Sequence, residues 1–204
     1  MNGTRLSASP PWLRSLSWVG AACLLFLGIV LRFGVRPDLA EFFGQGANDL
    51  EWVACTATGL AATLAAFEVS LPDRSRWWAL LPLPALALWL AMQGHACLLD
   101  WLAEGERGLA MGDSDRCFVV IVSCSVPLWL LLGAMVRHGA LIRPRLTAAL
   151  SGLAVAALAA SGLDFFHTVD ATLMDVVIHT IAVAVVVLVA TSLGSPLLRR
   201  LASP

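Results

Sequence analysis

Six runs of mostly apolar residues, each closed off by charges, proline or glycine, limit what this chain can fold into. They fall at about Leu16–Leu31, Trp52–Val69, Trp77–Leu99, Cys117–Val136, Leu146–Phe166 and Val169–Leu193. A helix needs about 20 such residues to cross the ~30 Å hydrocarbon core of a bilayer. The alternating polar pattern of a membrane β-barrel is missing, so helices are the economical way to satisfy the backbone in lipid. Composition agrees, with 59% hydrophobic and 13% charged residues among 204 and a mean hydropathy of +0.82. A soluble domain would have roughly a quarter of its residues charged. The sequence predicts an all-α polytopic membrane protein, a bundle of six transmembrane helices with short loops.

The expected organisation is a short cytoplasmic tail over 1–15, a six-helix domain over 16–198 and a second cytoplasmic tail over 199–204. Arg5 and Arg14 precede the first run, as in a signal peptide. That run is long and ends without a small-x-small cleavage site, so it reads as a retained anchor.

Arginine sets the orientation, because the chain has no lysine. If the spans alternate, one side collects Arg5, Arg14, Arg74, Arg76, Arg137, Arg143, Arg145, Arg199 and Arg200, and the other only Arg32, Arg36, Arg107 and Arg116. The positive-inside rule places the richer set, with both termini, in the cytoplasm. Most carboxylates, including Asp38, Glu51, Asp100 and Asp164, then fall outside.

Trp12, Trp18, Trp52, Trp77, Trp78 and Trp101 lie near expected span ends, as an interfacial belt requires. A helical turn is expected after Pro37, and the outer loop over 100–116 is expected to lie along the interface. Pro127 should kink span four. Span five, "LTAALSGLAVAALAASGLDFF", is dominated by Ala, Gly and Ser. Small residues let backbones approach closely in lipid, so this helix is expected at the bundle centre.

The polar residues of interest cluster in "GLDFFHTVDATLMDVVIH", from Gly162 to His179. Asp164, His167 and Asp170 are expected at a wet outer boundary, where charge costs little. Asp175 and His179 are four apart on one helix face and enter the span. An ionised group there costs at least about 2.5–3.5 kcal/mol, so such residues should face the bundle and find partners. A mutual hydrogen bond, a proton- or metal-responsive site and a transport pathway all fit these two residues. Gln93 and His95 sit in the outer half of span three, placed to join His179, and Glu68 can snorkel towards Arg74 or Arg76. Cys23 and Cys124 fall inside spans; Cys55, Cys97 and Cys117 fall near the outer face, where spacing alone leaves their pairing open. No CxxC, HExxH, phosphate loop or GxSxG elbow is present. No catalytic residue and no resident cofactor is therefore expected.

An ordered set of short segments carries a resemblance. It comprises "RPDL" at Arg36–Leu39, a following span that ends in "LPD", and Cys117 opening span four. Pro127–Leu128, "IRPRLTAALSGLAVAALAA" across span five, and Phe166–His167 with Asp170 complete it. Together they resemble the NrsF-like bacterial anti-sigma factors, membrane-embedded negative regulators of extracytoplasmic-function sigma factors. The resemblance implies a non-enzymatic inner-membrane protein that restrains a sigma factor and frees it under stress, with no direct contact to nucleic acid. It further implies sigma binding by the cytoplasmic N-terminal segment, here only about fifteen residues, and a pair of outer cysteines that senses metal or oxidant. Cys117 matches one cysteine of that pair, and Thr168 stands where the other is expected. Residue chemistry and resemblance meet at one candidate sensing cluster: Cys117, His167, Asp170, Asp175 and His179. Thiolate, imidazole and carboxylate suit zinc or a similar divalent ion, here as a signal. The alternative readings are a small ion or solute transporter, or a structural subunit of a membrane complex.

Overall fold

Each apolar run forms a helix. The computed structural model describes residues 9–105, 114–136, 142–166 and 173–202. In chain order the helices are α1 (Pro11–Phe33), α2 (Leu39–Phe42), α3 (Gly46–Val69), α4 (Leu83–Glu104), α5 (Ser114–Val136), α6 (Pro144–Leu163) and α7 (Leu173–Ala202), with a 3₁₀ turn at Arg76–Leu80 before α4. Six helical segments are long and apolar enough to cross a membrane, and no strand occurs among the described residues.

α1, α3, α5 and α6 begin earlier than their apolar runs, whereas α4 begins later, at Leu83 after the 3₁₀ turn. α1 starts at Pro11, whose missing N–H is no loss in a first turn. α3 starts at Gly46, so Asp49 and Glu51 belong to its first turns, where the positive end of the helix dipole favours acid. Hydropathy marks where lipid begins, and helix formation continues past it. For the same reason α4 runs on through Asp100 to Glu104, and only a shorter stretch of the expected 100–116 loop remains. The turn expected after Pro37 is α2, with Asp38 just before it. Gly34 ends α1 with φ +89°, a conformation open to glycine and strained for other residues.

Small residues set the packing. α6 packs on α3, α5 and α7, while α4 bridges α3 to α7 and α1 bridges α3 to α5. In α6, 83% of the spanning window is buried, against 11% in α1 and 17% in α7, so α6 is the central helix. Gly59 of α3 lies against Leu158, and Gly152 of α6 against Val187 and Ala190 of α7. Lipid supplies no hydrophobic drive between helices, so this close van der Waals fit holds the bundle together. Several buried hydroxyls bond within their own helices, as Thr58 does to the Ala54 carbonyl and Ser151 to that of Thr147. Pro127 lies inside α5 without ending it.

The tryptophans divide. Trp12, Trp77 and Trp101 are exposed, as an interfacial belt requires. Trp18 is fully buried, and its indole N–H donates to the Leu128 carbonyl of α5 at 3.0 Å. The belt expected to include it does not: α1 begins at Pro11, so Trp18 lies two turns inside the helix and faces the bundle.

Candidate functional site

At the end of the bundle where α1, α4 and α6 finish and α3 begins, side chains from four segments meet around carboxyl groups. Arg36, in the link between α1 and α2, donates from Nε and a terminal nitrogen to both oxygens of Asp38, at 2.8 and 2.6 Å. Its guanidinium lies 4.3 Å from the centre of the Phe42 ring, and its backbone N–H donates to the Phe165 carbonyl at 2.9 Å. The link is thereby tied to the turn that follows α6. Phe43, Trp52 and Phe165 pack ring on ring beside it, with centroids 5.5 to 5.9 Å apart.

The α3–α6 seam carries two side-chain donors onto α6 carbonyls. Trp52 Nε1 donates to Ser161 at 3.1 Å, and the Cys55 thiol donates to Ala157 at 3.1 Å. One turn further along, Gly59 lets Leu158 reach the α3 backbone. Glu51 stands near the start of α3, on the side towards Gln93 of α4. Gln93 is itself buried, and its carbonyl oxygen is 3.4 Å from the Thr180 hydroxyl of α7. That hydroxyl also donates to the Val176 carbonyl at 2.8 Å, so the approach to Gln93 is the weaker of the two.

Asp164, expected at a wet boundary, directly follows the end of α6 at Leu163 and is partly exposed. Burial pushes its carboxyl up to about 8 from an ordinary 3.8, and the charge of Glu51 adds to the rise while Arg36 opposes it. Asp38 behaves in the opposite way: its hydrogen bonds from Arg36 hold it below the usual range. Glu51 is a helical residue in the first turns of α3.

The expected sensing cluster is only partly within view. His167 and Asp170 lie outside the described residues, as do the side chains of Cys117 in the first turn of α5 and Asp175 near the start of α7. His179 is described: its ring meets that of Trp89 edge-on, with centroids 5.9 Å apart. Gln93, expected beside His179, does reach α7 through the neighbouring Thr180. Cys55 is buried and Cys97 half-buried, and both are free thiols. Sequence reasoning did not foresee that Arg36 would tie the α1–α2 link to the turn after α6.

The opposite end is basic. Arg74 pairs with the buried Glu68 at 3.1 Å, as its spacing suggested. Arg143 donates to the Arg74 carbonyl at 3.0 Å, tying the start of α6 to the hairpin that follows α3. Arg14 is buried in the first turns of α1, with its guanidinium 5.0 Å from the centre of the Phe67 ring. The tail boundary expected at residue 15 placed Arg14 outside the helix, whereas α1 already includes it.

The geometry offers a polar, acidic end and a basic end joined by a small-residue core. A family model described as negative regulator of sigma F (NrsF) matches residues 5–199. No curated protein and no solved structure matches the chain.

Proposed function

The chain belongs to the NrsF family, the negative regulators of sigma F, and we propose that it acts without catalysis as an anti-sigma factor for an extracytoplasmic-function sigma factor. It holds that partner at the bacterial cytoplasmic membrane and frees it when an envelope, metal or redox stress reaches the far side. The observation that carries this reading is the extent of the match, which takes in all six spans. The charge asymmetry supports an orientation with the basic end, and both termini, in the cytoplasm. Arg74, Arg76, Arg143 and Arg145 emerge at that end and offer an acidic partner surface several cations.

The proposed signal input is the opposite end. Cys117, His167, Asp170, Asp175 and His179 form the proposed sensing set, with a divalent ion as its signal. Cys117→Ser and His179→Ala should each change the response to metal or oxidant while membrane insertion stays intact.

Deletion of the gene followed by transcript profiling tests the reading. The regulon of one sigma factor should rise in unstressed cells and fall again on complementation. An unchanged transcript profile would overturn it.

A further inference from the structure

α5 and α7 pack side by side on α6, and each leaves most of its surface outside the bundle. Only 33% of the spanning window is buried in α5, and 17% in α7. Between the two helices lies a cleft of about 90 Å³. Its floor is Ser125, Val186 and Ala190, all buried, and the small side chains of Ser125 and Ala190 leave the space open. Val126 and Val189 form the rims and are 53% and 49% exposed, so the cleft opens sideways. The hydroxyl oxygen of Ser125 is enclosed, which leaves the surface presented to the cleft apolar. Trp129 closes the end nearer the helix C-termini, where a Cβ on Gly194 of α7 would stand 2.7 Å from its Cζ2. Ile121, Cys124 and Ala182, packed in one cluster, close the other end. The lining falls near the middle of the spanning windows Phe118–Val136 and Val176–Gly194.

Place and size together select the occupant. Water needs several polar partners, and this lining offers none. A helix is about 10–12 Å across, too wide to enter so small a space. What meets a sideways opening at mid-span is the hydrocarbon of the bilayer. A void left there would cost the lining residues their van der Waals partners on one side. We propose that the α5–α7 cleft is a binding site for one acyl chain of a membrane phospholipid. The chain lies on Ser125 and Ala190, between the rims Val126 and Val189, with Trp129 at its end. A methylene chain is narrow and bends to follow such a path. The recessed floor and the two closed ends distinguish the site from ordinary lipid contact, because a chain within it is shielded on three sides. The bound chain also sets the spacing of α5 from α7. The proposal uses the membrane placement of the spans and does not depend on the regulatory reading.

The test uses the full chain, freed of lipid in mild detergent, and phosphatidylglycerol brominated near the middle of its acyl chains. Bromine quenches indole fluorescence on contact, and Trp129 lines the cleft. Comparing the parent with Trp129→Phe isolates the Trp129 emission by difference. That emission should fall several-fold and saturate near one lipid per chain, and excess unbrominated phosphatidylglycerol should restore it. Val189→Phe fills the cleft from its α7 rim and Val126→Phe from its α5 rim, and each should remove the saturable quenching. The two rims are altered separately so that one misfolded variant does not decide the result. Leu188→Phe, on the exposed surface of α7, should leave the quenching unchanged. Quenching that grows with added lipid without saturating, or that persists in both rim variants, would reduce the cleft to ordinary lipid contact and overturn the site. Trp129 emission that ignores the lipid, in a chain that migrates as a dimer, would assign the cleft to a second copy and overturn it as well. No readout needs a sigma factor, so loss of the regulatory reading would leave these results standing.

Discussion

Trp18 donates its indole N–H to the carbonyl oxygen of Leu128 at 3.0 Å, and neither side chain reaches the surface. The bond ties α1 to α5 one residue beyond Pro127, which lies inside α5. Trp18→Phe keeps most of the packing and should cost about 1 kcal/mol, the net value of a typical hydrogen bond. Trp18→Ala also opens a cavity and should cost about 3–5 kcal/mol. Unfolding by denaturant in detergent micelles measures both, and equal losses for the two variants would contradict this assignment.

Close helix approach gives a second prediction. A Cβ at Gly152 would stand 2.8 Å from the Ala190 Cβ and 2.9 Å from the Val187 Cα, and the latter is backbone that cannot step aside. Gly152→Ala should therefore push α6 from α7 and cost about 1–3 kcal/mol, in the range of overpacked cores. Gly20 in α1 has nothing within 4 Å of a new Cβ, so Gly20→Ala should leave thermal stability unchanged or raise it slightly. Similar losses at the two sites would contradict the central placement of α6.

Stability should depend on pH with a definite sign. Asp164 binds its proton more tightly when folded, because burial and Glu51 raise its carboxyl from 3.8 to about 8. The unfolded chain binds fewer protons across that window, so stability is greatest below it, declines as pH rises through it, and is flat above about 8. Asp38 has the opposite sign: its contribution is present above its ordinary value and fades as acid protonates it. Asp38 is open to water, so its effect should be small. Melting temperatures of the parent and Asp164→Asn, measured from mildly acidic to alkaline pH, check this. The variant should lose the decline, and a parallel decline in both would contradict the assignment.

The six spans and the central place of α6 were legible in the sequence, because run length and small-residue content report directly on bilayer crossing and helix approach. The Glu68–Arg74 pair was legible too, since the two residues flank one short hairpin. What escaped was direction. Trp18 was expected in the interfacial belt, yet its ring faces inward. Which side of a helix meets its neighbours depends on the arrangement of all the helices, and hydropathy averaged along a span carries no such information. Glu51 escaped for a related reason: its polar neighbours Asn48 and Asp49 read as loop, while helix α3 begins at Gly46 and continues through them.

Topology gives a further prediction, from the arginine distribution. Reporter fusions active only outside the cytoplasm should work after residues 45, 108 and 168, and fusions at Arg143 or after Arg200 should be silent. Activity at either arginine site would reverse or break the proposed orientation.

Co-purification tests the central claim most directly. The full chain, tagged and extracted from unstressed cells in mild detergent, should bring down one extracytoplasmic-function sigma factor in near-stoichiometric amount. Mass spectrometry identifies that partner, and the same pull-down after envelope stress should recover much less of it. A purified chain that carries no sigma factor under either condition would contradict the account.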